Sequence, residues 1–211
     1  MTLQLGDIVP NFTQQTTEGE INFYDWAGKN WVVLFSHPAD YTPVCTTELG
    51  NVAKLKPEFA KRGAKVIALS VDGVKSHQGW ITDINETQHT NVNYPIIADE
   101  DKSVSNQYGM IHPNANAKVT VRTVFVIDPS KKLRLTVTYP PTTGRNFTEI
   151  LRVLDSLQLT DKYSVATPVD WQDGGEVVVA PSISTADARV KFPKGVNEIK
   201  PYLRLTPQPK R

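Results

Sequence analysis

The sequence predicts an α/β fold with parallel strands at its centre, and three stretches carry that prediction. Trp31 to Ser36 (WVVLFS) is a short apolar run rich in β-formers, the pattern of a strand buried on both faces. Pro43 to Arg62 follows with Leu49, Val52, Ala53 and Leu55 at helical spacing. Pro43 suits a first turn, and Pro57 introduces a kink before Phe59 to Arg62 continue. Gly63 closes this helix, and Lys65 to Val71 (KVIALSV) is a second buried strand. Strand, helix and strand in that order make a right-handed crossover with parallel strands.

The later elements continue the alternation. Ser76 to Thr90 reads as a polar-faced helix and Asp101 to Tyr108 as a short one before Gly109. Val121 to Ile127 and Lys132 to Thr138 are β-rich runs joined by Asp128-Pro129-Ser130-Lys131, a turn composition that predicts an antiparallel hairpin. Asn146 with Glu149 makes a capping-box-like start, and Phe147, Ile150, Leu151, Leu154 and Leu157 give the next helix an apolar stripe. Around Thr160 the texture changes to prolines, the Gly174-Gly175 pair and short β runs such as Val177 to Val179. The expected organisation is a main domain over residues 1–160 and a small second domain over 161–211. The second is too small to hold a core alone and is expected to pack against the first or a partner subunit.

Composition excludes several function classes. Hydrophobic residues are 39% and charged residues 21% of the 211, ordinary for a globular protein, and no apolar run approaches the ~18 residues of a spanning helix. No membrane is expected as a partner. The net charge of +1, with both signs interspersed, offers no field for a polyanion, so nucleic acid is not expected either. The start, MTLQLGDIVPNFTQQ, lacks the basic and apolar stretches of a secretory signal, and the expected location is the reducing cytoplasm. The Asn-x-Ser/Thr matches at Asn11, Asn85 and Asn146 then read as chance.

Cys45 is the only cysteine, which rules out an intrachain disulfide, and it sits where the first strand meets its helix. In open α/β sheets, ligands and chemistry collect at that carboxyl end of a strand. A thiol attacks only as thiolate, and the first helical turn offers unpaired backbone N–H groups and the positive end of the helix dipole to a negative sulfur. A nearby guanidinium would add to both. Pro38 and Pro43 stiffen the segment, and the Thr42 hydroxyl, one turn before the cysteine, can hydrogen-bond the sulfur or its substrate. Taken alone, each residue has a plainer explanation. A single cysteine is by default an inert small hydrophobe, His37 a satisfied half-buried histidine, and Arg122 and Arg145 solvated charges flanking a strand and a helix. His77, His89 and His112 show no partner spacing and read as surface, and one cysteine with four dispersed histidines supplies no recognisable metal cluster.

The string FSHPADYTPVCTTELG holds the P-x-x-x-T-x-x-C signature in Pro38, Thr42 and Cys45, and it resembles the one-cysteine, peroxiredoxin-six type of peroxiredoxin. KLKPEFAKR, KVIALSVD, YPIIAD, RTVFVIDPSKKLRL, YPPTTGRNFTEILRVLDSLQLT, ATPVDW and FPKGV resemble the same subfamily, in order, over nearly the whole chain. The resemblance implies a thioredoxin-like fold, a small C-terminal dimerisation domain, a homodimer, and reduction of hydrogen peroxide and organic hydroperoxides without cofactor or metal. It implies Cys45 as the peroxidatic residue, Thr42 and Arg122 holding peroxide and thiolate, and His37 lining the pocket. Pro38 and Arg145 would border the substrate. Two-cysteine relatives have a resolving cysteine in a V-C-P context, for which Val165-Ala166-Thr167-Pro168 stands here, so an external reductant such as glutathione, glutaredoxin or thioredoxin is implied. The phospholipase activity credited to some animal members is not implied, because Asn30 stands for its serine and Tyr24 for its histidine.

Other classes remain open from the residues alone. A Cys-His acyl hydrolase would need His37 as base and an orienting carboxylate, and no such acid is evident. A disulfide oxidoreductase would need a second thiol after Cys45. A holdase or redox-signalling adaptor would need exposed apolar surface or oligomerisation.

Overall fold

The computed structural model describes residues 3–210. By internal contacts it divides into two compact units, Met1–Phe147 and Thr148–Arg211.

The first unit is laid down in chain order as β1 (Thr13–Thr16), β2 (Gly19–Asn22), α1 (Phe23–Ala27), β3 (Trp31–Ser36), α2 (Pro43–Lys61), β4 (Ala64–Ser70), α3 (Val74–Gln88), β5 (Ile96–Ala98), α4 (Ser103–Gln107), β6 (Arg122–Ile127) and β7 (Leu133–Tyr139). Its sheet runs β2-β1-β5-β4-β3-β6-β7. The expected crossover is there: β3 and β4 pair in parallel, Trp31 opposite Ala64 and Ser36 opposite Leu69. The expected hairpin is β6 and β7, antiparallel, with Arg122 opposite Tyr139. Asp128 builds its turn, Oδ1 accepting from the backbone N–H groups of Ser130 and Lys132 and from the Ser130 hydroxyl.

The apolar runs are continuous because the central strands are covered twice. Val32 and Leu34 of β3, Ile67 and Leu69 of β4, and Phe125 and Ile127 of β6 share one cluster with Phe23, Val104 and Tyr108. The alternate residues Val33, Phe35, Val66, Ala68, Val124 and Val126 are also buried, on the face that period-two geometry points the other way. Each fully buried Leu, Ile or Phe contributes ~1.5–3 kcal/mol, so the centre of the sheet is the most strongly held part of the unit. Its strand ends are therefore a firm base for chemistry. Helix α2 runs unbroken past Pro57, which lies on its exposed side.

The second unit takes α5 (Phe147–Lys162) from Thr148 onward, then β8 (Val165–Ala166), β9 (Val177–Val179), α6 (Thr185–Lys191), β10 (Asn197–Lys200) and β11 (Leu203–Thr206). Its sheet has the order β10-β11-β9-β8. It has a small core of its own in Leu159, Val165, Trp171, Val177, Val179, Ala188 and Phe192. The sequence placed the division at residue 160, near the end of α5; the contacts divide at its start, because this amphipathic helix carries Leu159 into that core.

Candidate active site

A short loop, residues 37–42, joins the β3 end to helix α2, and this junction carries His37, Pro38, Asp40, Thr42 and Cys45. His37 prolongs the β3–β4 ladder, its N–H donating to Leu69 O (2.9 Å). Ser36 Oγ donates to Val121 O and accepts from Thr123 N–H, tying the strand end to the start of β6. The chain turns through Tyr41, which holds φ of 54°, a conformation unusual and strained for a bulky residue. Thr42 is the N-cap and Pro43 opens the helix, so Cys45 stands in the first turn with no exposed surface.

Cys45 Sγ accepts a hydrogen bond from Arg122 Nη1 at 3.3 Å. That guanidinium, on the first residue of β6, is held by its Nε and Nη2 on Pro141 O (2.9 and 2.8 Å) and by Nη1 on Glu48 Oε2 (2.6 Å). Glu48 also accepts from Arg145: Oε1 from the backbone N–H and Nε (2.8 and 2.9 Å), and Oε2 from Nη2 (2.7 Å). The remaining Arg145 nitrogen donates to Ser36 O and Thr123 O, and the guanidinium lies over the Phe35 and Phe147 rings. Burial pushes the Glu48 carboxyl up, but the bonds and charges of Arg145 and the charge of Arg122 outweigh it and hold Glu48 below its ordinary value. Two buried guanidiniums against one carboxylate leave one positive charge uncompensated beside Sγ. A thiolate would neutralise it.

The sequence read Thr42 as a hydroxyl for the sulfur or its substrate. In the structure its Oγ1 donates to Ala39 O (2.8 Å), so its proton is committed and its lone pairs are what it offers. Pro38 is half-buried in the same loop. Arg145 bonds Glu48 and the strand ends, with no bond to Sγ, and so bears on Cys45 through Glu48 and Arg122.

His77 corrects the surface reading. It is wholly buried, because α3 turns it inward to the strand ends: Nδ1 lies 2.7 Å from Asp40 Oδ2 and Nε2 3.2 Å from Ile97 O. Asp40 Oδ1 lies 3.0 Å from His37 Nε2, so the orienting carboxylate that the sequence did not reveal is Asp40. His37, Asp40 and His77 could offer ligand atoms within 4.8 Å of one another, a cluster that scattered numbering conceals, although hydrogen bonds within the group already occupy the facing atoms. Trp80 packs on His37 with ring centroids 5.2 Å apart and donates from Nε1 to Thr46 Oγ1 at 3.1 Å. Glu48 and Asp40 were missed although each lies three residues after a residue already singled out. For Glu48 that spacing on a helix means the same face as Cys45.

Comparison with known proteins decides the family. The AhpC/TSA family model matches residues 5–136, and the model of the C-terminal domain of 1-Cys peroxiredoxin matches 156–195. The chain belongs to the one-cysteine peroxiredoxins. It is 57% identical over 209 residues to a 1-Cys peroxiredoxin of Dictyostelium discoideum, covering 99% of this chain and 87% of that one. Among solved structures, a mutant of the peroxiredoxin 6 of Arenicola marina superposes with a TM-score of 0.92 at 49% identity, covering 99% of this chain and all (100%) of that one. A yeast mitochondrial 1-Cys peroxiredoxin, described for thiol resolving via glutathione/thioredoxin systems, also gives 0.92, at 53% identity over 98% of this chain and 100% of that one. This peroxiredoxin therefore has the thioredoxin-like fold that its sequence implied. The positions of the phospholipase signature do structural work here, Asn30 Nδ2 donating to Ala27 O and Tyr24 OH to Val9 O.

Proposed function

We propose that this peroxiredoxin reduces hydrogen peroxide and organic hydroperoxides through a sulfenic acid on Cys45, and that an external thiol restores it. The observation that carries the reading is Sγ in the first turn of α2, 3.3 Å from a guanidinium anchored on three further acceptor contacts. The thiolate attacks the hydroxyl-bearing oxygen of R–O–O–H; the S–O bond forms, the O–O bond breaks, and its electron pair leaves on RO⁻, which takes a proton to become alcohol or water. Sulfur loses two electrons and the peroxide gains them. Arg122 and the first-turn N–H groups stabilise the charge that moves off sulfur onto oxygen; preorganised donors of this kind contribute ~3 kcal/mol each. Thr42 offers acceptor lone pairs to the peroxide hydrogen, His37 and Pro38 wall the pocket, and Arg145 holds Glu48 and so Arg122.

With Ala166 in the resolving-cysteine context, the sulfenic acid condenses with an external thiol, releasing water, and a second thiol displaces Cys45. Glutathione, glutaredoxin or thioredoxin would serve, a choice supported by the systems named for the yeast relative. Excess peroxide carries Cys45 on to sulfinic acid. We place the protein in the cytoplasm, where a free cysteine that needs reduction is kept reduced. The second unit exposes Val169, Val190 and Tyr202, which favours its use as a dimerisation surface in a homodimer. No described helix is long and apolar enough to cross a membrane.

The test is stopped-flow mixing of reduced protein with hydrogen peroxide, with intact mass after dimedone trapping. A phase whose rate scales with peroxide, and one dimedone adduct that C45S lacks, is the expected result. A rate no faster than that of a free thiol refutes the reading.

A further inference from the structure

The cluster behind His37 is not explained by packing alone. Asp40, His37 and His77 are all buried. Asp40 is fully engaged: Oδ1 faces His37 Nε2, and Oδ2 faces His77 Nδ1 and the Ser76 hydroxyl (2.8 Å), while its backbone N–H donates to Asp72 Oδ2 (3.0 Å). An ionised carboxylate only accepts, so His37 must present Nε2–H and His77 must present Nδ1–H. The other His77 nitrogen faces a carbonyl oxygen, which also only accepts. A ring between a carboxylate and a carbonyl is arranged as an imidazolium. The other His37 nitrogen, Nδ1, is buried with no partner among the described residues. A buried lone acceptor is tolerable; a buried N–H without an acceptor costs more, because it forfeits the full desolvation of a donor on a charged ring.

We propose that His77 is a positioning residue for the peroxidase reaction: as the positive counter-ion of Asp40, it keeps His37 in the neutral, Nε2-protonated tautomer, with Nδ1 left free as a hydrogen-bond acceptor. This rests on the placement of His37 in the peroxide pocket argued above. The charges acting on His37 are Asp40, Asp72 and His77. Burial, the largest influence, lowers its pKa below 6.5 and the charge of His77 works the same way, while Asp40 and Asp72 oppose both. Asp40 is matched by the one imidazolium, and Asp72 is engaged by the Asp40 backbone N–H and the Ser70 hydroxyl rather than by His37, so neither carboxylate calls for a second proton on that ring. Without the His77 charge, Asp40 would draw that proton onto His37, and Nδ1 would become a donor, the wrong polarity for the O–H of a hydroperoxide. Ser76 and Trp80 also touch the cluster, but neither carries charge.

Histidine side-chain nitrogen NMR of the wild-type protein reads the arrangement directly. Near neutral pH, His37 should show one protonated nitrogen, Nε2, and His77 two; a neutral His77, or a His37 protonated on Nδ1, overturns the proposal. The variant H77Q keeps a donor for Asp40 but removes the charge. In it His37 should become doubly protonated, and the acid limb of the peroxide rate against pH should move up by about one unit, the size of one like charge removed from a ring whose centroid lies 6.2 Å away. The double variant D40N/H77Q removes the pair together and should bring the limb back, a reversal that mere structural damage would not produce. An unmoved His37 in H77Q, or a rate profile indifferent to its protonation, overturns the proposal. Failure of the peroxidase reading itself would show separately, as absence of the Cys45 dimedone adduct in the wild type.

Discussion

Replacing Glu48 with glutamine tests the buried charge cluster at its centre. The carboxylate accepts four hydrogen bonds, one from Arg122 Nη1 and three from Arg145. A glutamine of the same shape supplies one acceptor oxygen and one NH2. Whichever way the amide turns, the NH2 meets two donors: Arg145 N–H and Nε, or Arg122 Nη1 and Arg145 Nη2. Two bonds are lost, and two guanidiniums whose side chains are 3% and 1% exposed lose their counter-charge. Removing one partner of such a buried pair costs ~3–5 kcal/mol, a large part of a typical total stability of ~5–15 kcal/mol. Urea unfolding followed by circular dichroism should therefore show E48Q destabilised by about 3–5 kcal/mol at pH 7. The sign with pH is fixed by the Glu48 shift. Its folded pKa lies below 4.5, so its contribution is complete above 4.5 and lost as pH falls through the folded value. The gap between wild type and E48Q should then narrow below pH 4.5. Equal stability within about 0.5 kcal/mol at pH 7, the level of ordinary surface changes, would refute the reasoning, as would a gap that widens in acid.

Three further outcomes follow from particular contacts. Trp80 lies against His37 and bonds Thr46 in the first turn, so W80F should remove most of the fluorescence change on oxidation of Cys45, seen by stopped-flow with the dimedone adduct retained. A Cβ at Gly50 would stand 2.5 and 2.6 Å from Gln88 Cγ and Cβ, the second an atom fixed to the backbone of α3. Overpacking of ~1–3 kcal/mol, less ~0.5–1 kcal/mol gained by replacing a helical glycine, makes G50A a net loss centred near ~1 kcal/mol and no more than ~2.5 kcal/mol in urea unfolding. Burial lowers the His37 pKa below 6.5, so the unfolded chain binds that proton first and stability should fall as pH drops from 6.5; H37Q should flatten this slope in unfolding measured between pH 5 and 6.5.

The strands and the crossover were legible because burial on both faces writes a continuous apolar run, and because strand, helix, strand allows one handedness. WVVLFS became β3 residue for residue. Cys45 and Thr42 were legible because a helix start has a local signature, and Arg122 and Arg145 became site residues only through resemblance. His77 was not legible: a histidine on a polar-looking helix is buried by an acid thirty-seven positions earlier, a pairing that no local pattern records. The split at Phe147 escaped for a similar reason, since the stripe of α5 says that the helix is amphipathic without saying which core it serves.

The buried sulfur sets two demands against each other, and the anchoring of the site shows how both are met. Attack on peroxide favours a closed, dry pocket, yet no external thiol can reach a sulfenic acid with no exposed surface. The groups divide accordingly. Arg122 and Arg145 are held by Pro141 O, Ser36 O and Thr123 O, contacts at the strand ends that do not involve the first turn of α2. Cys45 and Thr42 belong to that turn, which is closed by Thr46 N–H and Oγ1 on Thr42 O (3.0 and 2.8 Å), Thr42 Oγ1 on Ala39 O and Trp80 Nε1 on Thr46 Oγ1. Four neutral bonds at ~0.5–1.5 kcal/mol each, with the Arg122–Sγ bond at ~1.5–3 kcal/mol, put the opening of the turn at ~3.5–9 kcal/mol, below the cost of taking apart the Glu48–guanidinium cluster as well as the turn. Tyr41, at positive φ immediately before the turn, lowers the figure further, because opening releases strain that closure stores. A recess of about 260 Å³ lined by Tyr41, Thr42, Thr46 and Trp80 lies against this same turn. The donors for peroxide can thus stay in place on the sheet while the sulfur moves out to be reduced.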